Sequence, residues 1–373
     1  MNNAWLNEID IKIYHFLNSL KNQSSPYKYS PALEGVTDAG KNLSLGFSCF
    51  AIKILFTLNL WKTITKREQD DWLRFINSHQ ESKKNLPKNS FIDKELYEHY
   101  QQVNIGRSLK ELTKKTLNVL PNYNSLSFNQ QYINSIKAES KQAIATLYQV
   151  NSKNNLPYLD FPKEDHEILS YLNKLNWSKP WSAGAQFSSL CVFAVTQTDK
   201  TYHSKISESL YSYLDNIIDN QTGLYFSGKR PSNTEAINGT MKIITGLDWL
   251  NMPIHLPKKI IDFSLSVTPS NYGCDLVDIV YILYKSFKAS KYKQKEIVEY
   301  LRNLLFIIEK HYFPEIGGFS YSVEKSQTGY YGVNITSGMS TPDIHGTILI
   351  TWALSMIFEI TENEDYQWSI LKP

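Results

Sequence analysis

Residues 217–225 contain the pattern that decides the fold, and they read Ile217-Ile218-Asp219-Asn220-Gln221-Thr222-Gly223-Leu224-Tyr225. The stretch combines the end of an amphipathic helix, a Gln or His four residues after an isoleucine, a turn and an aromatic residue. The same order returns at 75–80, followed by Phe91, and at 307–311, followed by Gly317-Gly318-Phe319. Glycine is expected to close the helix and let the chain turn tightly, and the aromatic ring is expected to fill the space between neighbouring helices.

The recurrence predicts an array of helical hairpins, because a single hairpin cannot bury its own apolar face. Apolar residues at three- and four-residue spacing predict helices at 4–20, 45–61, 67–80, 105–120, 128–149, 164–174, 184–197, 203–219, 234–250, 257–266, 274–289, 294–311 and 342–360. This number of helices suits an all-α, six-hairpin α/α toroid. Residues 1–40 are predicted to be a looser N-terminal helical extension and residues 41–373 one toroid domain. An open helical solenoid is the alternative.

Composition excludes several classes of function. The chain has 373 residues, of which 42% are hydrophobic and 13% aromatic, so wholesale disorder is excluded. The net charge of +3 gives no reason to propose nucleic acid as a partner. No sequence motif supports a zinc protease, a serine hydrolase, a Rossmann enzyme or a P-loop NTPase.

Location is predicted from what the sequence lacks. Three separated cysteines form no CxxC pair, and the first residues do not resemble a signal peptide, so a cytoplasmic protein is expected. The longest apolar stretch, 45–61, contains Lys53 and Asn59 and therefore predicts a buried core helix. Peripheral membrane contact stays open.

The order of Gln, Gly and an aromatic residue after a helix resembles the QW-type repeat of squalene and terpene cyclases and the repeats of protein prenyltransferase β subunits. Residues 276–281 and 343–347 resemble segments that line the prenyltransferase active site. The resemblance covers roughly residues 45–360 at the level of repeats. It implies the toroid fold and an isoprenoid substrate.

The zinc site of prenyltransferases is incomplete in this chain. Asp278 matches the first ligand, Val280 stands at the cysteine position and Gly346 at the histidine position. A lone carboxylate does not hold zinc, so no cofactor is predicted and zinc is disfavoured. A shifted set of Cys274, Asp278 and His345 remains chemically conceivable. The acidic DxDD motif of class II cyclases is also missing, since Asp70 and Asp71 are expected to begin a helix.

Four residues are the catalytic candidates. Asp275 and Asp278 open an apolar helix three residues apart, and a buried acid pair can hold one proton donor and one anion. Asp343 and His345 open the last helix, where His can act as acid, base or ligand. Helix capping is the alternative role for each acid.

Seven further residues are predicted to bind substrate. Tryptophan and tyrosine faces stabilise carbocations or stack on sugars, and Glu235 and Asn238 lie on one helix face, where Gly239 permits close helix approach. The candidates are Trp177, Trp181, Glu235, Asn238, Tyr281, Tyr330 and Tyr331. Core packing and capping are the alternative roles.

Three functions follow from these candidates. The first is a terpene-cyclase-like or isoprenoid-processing enzyme with an aromatic-lined cavity and Asp acid/base residues. The second is a carbohydrate-active α/α barrel, as hydrolase, lyase or epimerase, with Asp278 and Asp343 as its carboxylates. The third is a non-catalytic toroid scaffold or subunit with a protein partner. The expected ligand is thus a small apolar molecule or a sugar.

Overall fold

The computed structural model describes residues 4–102, 127–363 and 365–373. Within them the helices are α1 (Ile9–Ser19), α2 (Asp38–Asn42), α3 (Leu45–Thr57), α4 (Lys66–Asn77), α5 (Lys94–Gln101), α6 (Phe128–Gln149), α7 (Asp165–Asn173), α8 (Pro180–Gln197), α9 (Lys200–Tyr213), α10 (Asn233–Leu250), α11 (Pro257–Leu265), α12 (Gly273–Ser290), α13 (Gln294–Glu309) and α14 (Ile344–Ile360). The helix predicted at 105–120 lies outside the described residues. Two short antiparallel hairpins complete these ranges, β1 (Gln80–Glu81) with β2 (Ser90–Phe91) and β3 (Gly329–Tyr330) with β4 (Val333–Asn334).

Six described helices close into an inner ring. In chain order α3, α6, α8, α10, α12 and α14 each pack on the next, and α14 packs back on α3. Helices α4, α9, α11 and α13 lie outside the ring, where α4 packs on α3, α9 on α8, and α11 and α13 on α12. The predicted all-α, α/α toroid is therefore confirmed, and the open solenoid is wrong.

The repeated turns do the same job in three places. Phe91, Tyr225 and Phe319 are fully buried. Their backbone N–H groups donate to a hydroxyl on an inner helix, and the acceptors are Ser140 at 3.0 Å, Thr240 at 3.2 Å and Thr347 at 3.0 Å. Each aromatic residue thus plugs a gap and is tied to the ring by a hydrogen bond, as the pattern predicts.

Glycine closes two of these turns in the left-handed region. Gly223 has φ +77° and Gly317 has φ +93°, a conformation that side chains with a Cβ disfavour. Both N–H groups donate to the carbonyl four residues earlier, at 2.7 Å. Gly239 serves packing instead, because a Cβ there would lie 2.5 Å from Pro180.

The first forty residues pack onto the end of the ring. Ile9, Ile13 and Phe16 of α1 are buried in the core. The N–H of Ile344 donates to the carbonyl of Pro31 at 2.9 Å. This stretch is thus packed more tightly than the predicted looser extension, while the domain boundary after residue 40 stays a prediction.

Candidate active site on the axis of the toroid

Accessible side chains mark open space along the axis of the ring. The central turns of α3, α10, α12 and α14 are buried almost throughout, and their half-buried residues include Lys53, Lys242, Cys274, His345 and Leu349. Neighbouring and outer helices cover the remaining faces of these helices. These five side chains therefore border the central space, which we call the axial chamber.

Three lysines face one another across this chamber. Lys53 of α3 and Lys242 of α10 lie on helices that are not neighbours in the ring. Burial lowers the pKa of Lys53, Cys49 opposes this, and the charge of Lys242 lowers it further, so the two ammonium groups are close enough across the axis to repel each other. Burial also holds the pKa of Lys141 on α6 well below its usual range, with added effects of Lys53 and then Lys242. We call Lys53, Lys141 and Lys242 the axial lysines.

Asp278 carries an unsatisfied carboxylate oxygen beside the axial lysines. The residue is 2% exposed, and its Oδ2 has no hydrogen-bond partner in the described part of the chain. Burial raises the pKa of Asp278 to about 7; the charge of Lys242 opposes this rise and that of Asp275 adds to it. A carboxyl group with this pKa can both hold and release a proton near neutral pH.

His345 is clamped in a stack of rings. It stacks on Phe50 at 4.8 Å and on Tyr321 at 5.3 Å between ring centroids. Its Nδ1 lies 2.6 Å from Oε1 of Gln327, an oxygen that can only accept, so Nδ1 carries the proton. Burial, and then the charges of Lys242 and Lys53, lower the pKa of His345 to about 3, which keeps the ring neutral.

The prenyltransferase-like positions do not fit zinc. Val280 is buried hydrocarbon, and a Cβ on Gly346 would lie 2.4 Å from the Ser320 carbonyl carbon. The described residues contain no group of three or more His, Cys, Asp or Glu placed to hold a metal ion. Cys274, a member of the alternative ligand set, accepts a hydrogen bond from the Tyr321 hydroxyl at 3.3 Å. We therefore derive no step through a metal.

Asp343 is engaged in the capping role given as the alternative for it, while its catalytic role stays a prediction. One oxygen accepts the N–H groups of Tyr321 at 2.7 Å and Gln327 at 3.1 Å, and the other accepts that of Gly346 at 2.8 Å. Burial raises the pKa of Asp343 to about 6, although these hydrogen bonds lower it. Its acceptor capacity is used to cap α14 and to hold two loops.

Asp275 is likewise occupied. It accepts hydrogen bonds from Asn238 at 2.8 Å and from the Ser270 hydroxyl. This bridge joins α10, α12 and the loop before α12. Asn238 keeps an unpartnered buried Oδ1. The predicted acid pair thus separates into a structural acid, Asp275, and Asp278 on the axis.

The two tryptophans divide between core and rim. Trp177 is 5% exposed, and its Nε1 donates to the Leu172 carbonyl and the Tyr213 hydroxyl, both at 3.0 Å. These contacts match the core-packing alternative, and the substrate-binding role of Trp177 stays a prediction. Trp181 is 41% exposed, and its backbone N–H donates to Oε1 of Glu235 at 3.1 Å. Trp181 and Glu235 border a rim groove of about 1180 Å³ whose lining includes Lys179, Lys229 and Arg230.

The three tyrosines also differ in their surroundings. Tyr281 is fully buried and donates to Asp248 at 3.2 Å, away from open space. Tyr330 is buried and donates to Glu139 at 3.2 Å. These contacts match the core-packing alternative, and the substrate-binding roles of Tyr281 and Tyr330 stay predictions. Tyr331 is half-buried and lines a groove of about 800 Å³ beside α6 and α8.

The axial lysines are not among the residues predicted from the sequence. A usable signal exists for Lys53, because it is the one charged residue in the apolar helix Leu45–Thr57. A lone lysine there must reach open space or a partner. Lys141 and Lys242 carry no such signal, since their helices contain many polar residues.

Comparison with known proteins gives a distant structural likeness. Neither a protein-family model nor a curated protein matches the sequence. Two solved structures of type II terpene cyclase MstE variants from Scytonema, each in complex with geranylgeranyl dihydroxybenzoate, resemble the chain. The first has a TM-score of 0.42 and 13% identity over 96% of this chain and 98% of that one. The second has a TM-score of 0.39 and 10% identity over 97% and 99%.

No helix in the described ranges combines the length and apolar character needed to cross a bilayer.

Proposed function

We propose that the chain is an isoprenoid-processing enzyme in which the carboxyl group of Asp278 donates a proton on the axis of the toroid. The supporting observation is the unpartnered Oδ2 of Asp278, buried beside the axial chamber. Oδ2 itself is shielded from solvent, so a substrate would meet the acid through its other oxygen, Oδ1, which also has no hydrogen bond in the described part of the chain. Its pKa of about 7 keeps half or more of it protonated at and below neutral pH.

The proposed step is a proton transfer to a carbon–carbon double bond. The O–H bond of Asp278 breaks, a C–H bond forms from the π electrons, and positive charge appears on the neighbouring carbon. The faces of Phe50 and Tyr321 lie in the same ring stack as neutral His345 and can stabilise that charge. Loss of a proton to the resulting carboxylate ends the cycle and restores the acid.

The axial lysines constrain this proposal. Three ammonium groups would repel a carbocation unless a negative group shields them. An isoprenoid substrate for this chamber is therefore expected to carry an anion. The step itself uses protein groups alone, in line with the expectation that no cofactor is bound.

A panel of substrates tests the proposal. The protein is incubated with polyprenyl diphosphates, polyprenols and prenylated aromatic acids, and the products are separated by mass spectrometry. Asp278→Asn is expected to lose turnover by a factor of about 10² to 10⁴, the usual contribution of a general acid. Asp262→Asn on an outer helix is the matched control and should keep full activity. A complete panel that returns unchanged and unbound would overturn the isoprenoid function.

A carbohydrate-active enzyme is the second candidate, and the rim groove favours it. Exposed Trp181 beside Lys229 and Arg230 suits an anionic sugar. Glycoside hydrolysis loses support, because Asp343 is fully committed to backbone N–H groups. A lyase or epimerase acting on uronic-acid sugars remains. Turnover of uronate oligosaccharides that is lost in Trp181→Ala, with prenyl compounds untouched, would select this function.

A scaffold without catalysis makes the opposite prediction for Asp278. It expects Asp278→Ala to leave every turnover measurement at its baseline while surface substitutions disrupt a protein complex. A cytoplasmic location, with or without peripheral membrane contact, remains part of our proposal and is tested by fractionation of the tagged protein.

A further inference from the structure

The axial lysines lie inside the ring and have no partner in the described ranges, unlike two lysines towards the end of α12. Lys285 pairs with Asp248 at 2.7 Å and Lys288 with Glu359 at 2.6 Å. In the described ranges the ammonium groups of Lys53, Lys141 and Lys242 have neither a hydrogen bond nor an ion pair. Buried charges in proteins are normally paired, because leaving water is costly. An unpaired cluster of this kind calls for a ligand that supplies the missing charge.

The acids near the chamber do not neutralise the lysines. Asp278 has a pKa of about 7, so at neutral pH it supplies only part of one negative charge. Asp275 is engaged by Asn238 and Ser270. Burial holds the pKa of Glu139 well above its usual range, and its Oε1 accepts the Tyr330 hydroxyl. Even with Asp275 ionised, these acids supply fewer negative charges than three protonated lysines would carry, and a bound anion would favour the protonated form of the lysines.

We propose that the axial lysines bind a phosphate or diphosphate group, and that this group is the head of the substrate. Lysine is a compact point charge that binds tetrahedral oxyanions from several directions, whereas planar carboxylates favour the fork of arginine. In the described part of the chain no arginine borders the chamber. Three converging ammonium groups match the two to three negative charges of such a group. The binding site rests on this geometry, and only the assignment to a substrate rests on the proposed function.

The surroundings of the lysines suggest how the rest of the ligand lies. Leu349 borders the same chamber, and Phe50 is placed one turn before Lys53 on α3. An apolar chain attached to the anion can lie against these two side chains. Asp278 lies close enough to Lys242 for their charges to interact, so it would meet the ligand near the head group. A phosphorylated sugar or a free inorganic anion would use the lysines alone.

Titration calorimetry with the intact protein at 50 mM salt tests the site directly. The probes are inorganic pyrophosphate and inorganic phosphate, and pyrophosphate is expected to bind more tightly. Each of Lys53→Met, Lys141→Met and Lys242→Met should weaken pyrophosphate binding about tenfold, which corresponds to about 1.4 kcal/mol, and the triple variant should not bind. Lys288→Met, on the same ring but paired with Glu359, is the matched control and should bind as the parent does.

Folding of the variants is checked by melting temperature, and Lys→Gln replaces any Lys→Met variant that fails to fold. The parent protein not binding either anion would overturn the site. Equal binding by the triple variant and the parent would place the anion elsewhere and would also overturn it.

Binding of different phosphate esters distinguishes the possible sources of the anion. Farnesyl diphosphate that binds at least tenfold more tightly than pyrophosphate, with farnesol not binding, supports a prenyl diphosphate head group. Tighter binding of glucose 1-phosphate, or equal binding of pyrophosphate and all esters, supports the anion site and overturns the prenyl assignment. Retained pyrophosphate binding without any turnover would overturn the proposed isoprenoid-processing activity but not the anion site. If the triple lysine variant still turns over uncharged prenyl compounds, the lysines do not bind the head of the substrate. That result would overturn the anion site but not the proposed activity.

Discussion

The loops around Asp343 and the chamber around Asp278 treat the same chemical group in opposite ways. Both carboxyl groups are buried, and burial raises the pKa of each, to about 6 for Asp343 and about 7 for Asp278. Asp343 accepts three backbone N–H groups, whereas Oδ2 of Asp278 accepts none. Burial alone therefore does not identify a catalytic acid. The donors around each oxygen distinguish an acid that holds the fold from one left free for chemistry.

The same contrast extends to the cations. Outside the chamber, Lys285 and Lys288 are paired with carboxylates, and inside it the axial lysines have no partner. Natural proteins accept such costs where function requires them, because selection removes only variants that fall below a stability threshold. The chamber is thus expected to be the least stable part of the ring and the turns the most stable. Substitutions in the two regions should therefore have opposite effects on the free energy of unfolding.

Asp343→Asn is expected to destabilise the protein most. The amide N–H group of Asn would face backbone donors, and the loss of hydrogen bonds to a charged acceptor costs about 3 to 5 kcal/mol of unfolding free energy in total. Chemical denaturation monitored by circular dichroism measures the effect. A cost below 1 kcal/mol would contradict the structural role of Asp343.

Asp278→Asn is expected to stabilise the protein above pH 7. Below the unfolded pKa near 3.8 both states are protonated and the group has no unfavourable effect. As pH rises towards the folded pKa of about 7, the unfolded state has already lost its proton and the folded state resists losing it, so stability falls. A tenfold difference in acidity between the two states corresponds to about 1.4 kcal/mol, so the parent should lose about 4 kcal/mol between pH 4 and pH 8 that the variant keeps.

Melting temperatures across that pH range test the sign of the effect. Catalysis by the protonated acid should fall over the same interval as pH rises through 7. A variant that is less stable than the parent at pH 8 would show that Asp278 is held by partners, as Asp343 is.

Lys53→Met should also stabilise the ligand-free protein. The substitution removes an unpaired charge and its repulsion with Lys242 and leaves a side chain of similar length, for a gain of about 1 to 2 kcal/mol. The gain should shrink in high salt, which screens the repulsion in the accessible chamber. Differential scanning calorimetry in two salt concentrations measures both effects. Lys288→Met, which breaks an exposed pair, should change stability by less than about 1 kcal/mol.

Thr240→Val and Thr347→Val test the equivalence of the repeated turns. Each removes the hydroxyl that accepts the N–H of a buried aromatic residue, Tyr225 or Phe319, and should cost about 1 to 2 kcal/mol. Thr351→Val is the matched control, since its hydroxyl bonds a carbonyl of its own helix. Unequal losses of unfolding free energy at Thr240 and Thr347 would show that the turns contribute differently to stability.

The closed ring could be predicted because its signal is local and repeated. Ile217, Gly223 and Tyr225 lie within nine residues of one another. Their spacing alone therefore predicts the end of the helix, the turn and the buried ring. Their contacts in the structure follow that spacing. The close contact at Gly239 could be predicted for the same reason, since only a small residue lets α10 approach Pro180.

The chamber could be predicted only in part. Asp278 can be found from the sequence because a carboxyl group in an apolar helix is conspicuous. The axial lysines meet only after the ring closes, because Lys53 and Lys141 are 88 residues apart and Lys141 and Lys242 are 101 residues apart. Trp177 and Trp181 differ in exposure because α8 begins at Pro180, which places Trp177 before the helix and Trp181 in its exposed first turn.

The packing of α1 and Pro31 against the last hairpin has a consequence for how the molecule is made. Residues near both ends of the chain touch, as in the hydrogen bond from Tyr366 to the Leu6 carbonyl and the pairing of Ala32 with Asp343. Contacts between residues more than three hundred positions apart are slow to form, because a long loop must be closed first. During synthesis the ring would remain an open arc with the axial lysines in water. The repulsion between the axial lysines then arises only when the ring closes, as α14 packs on α3.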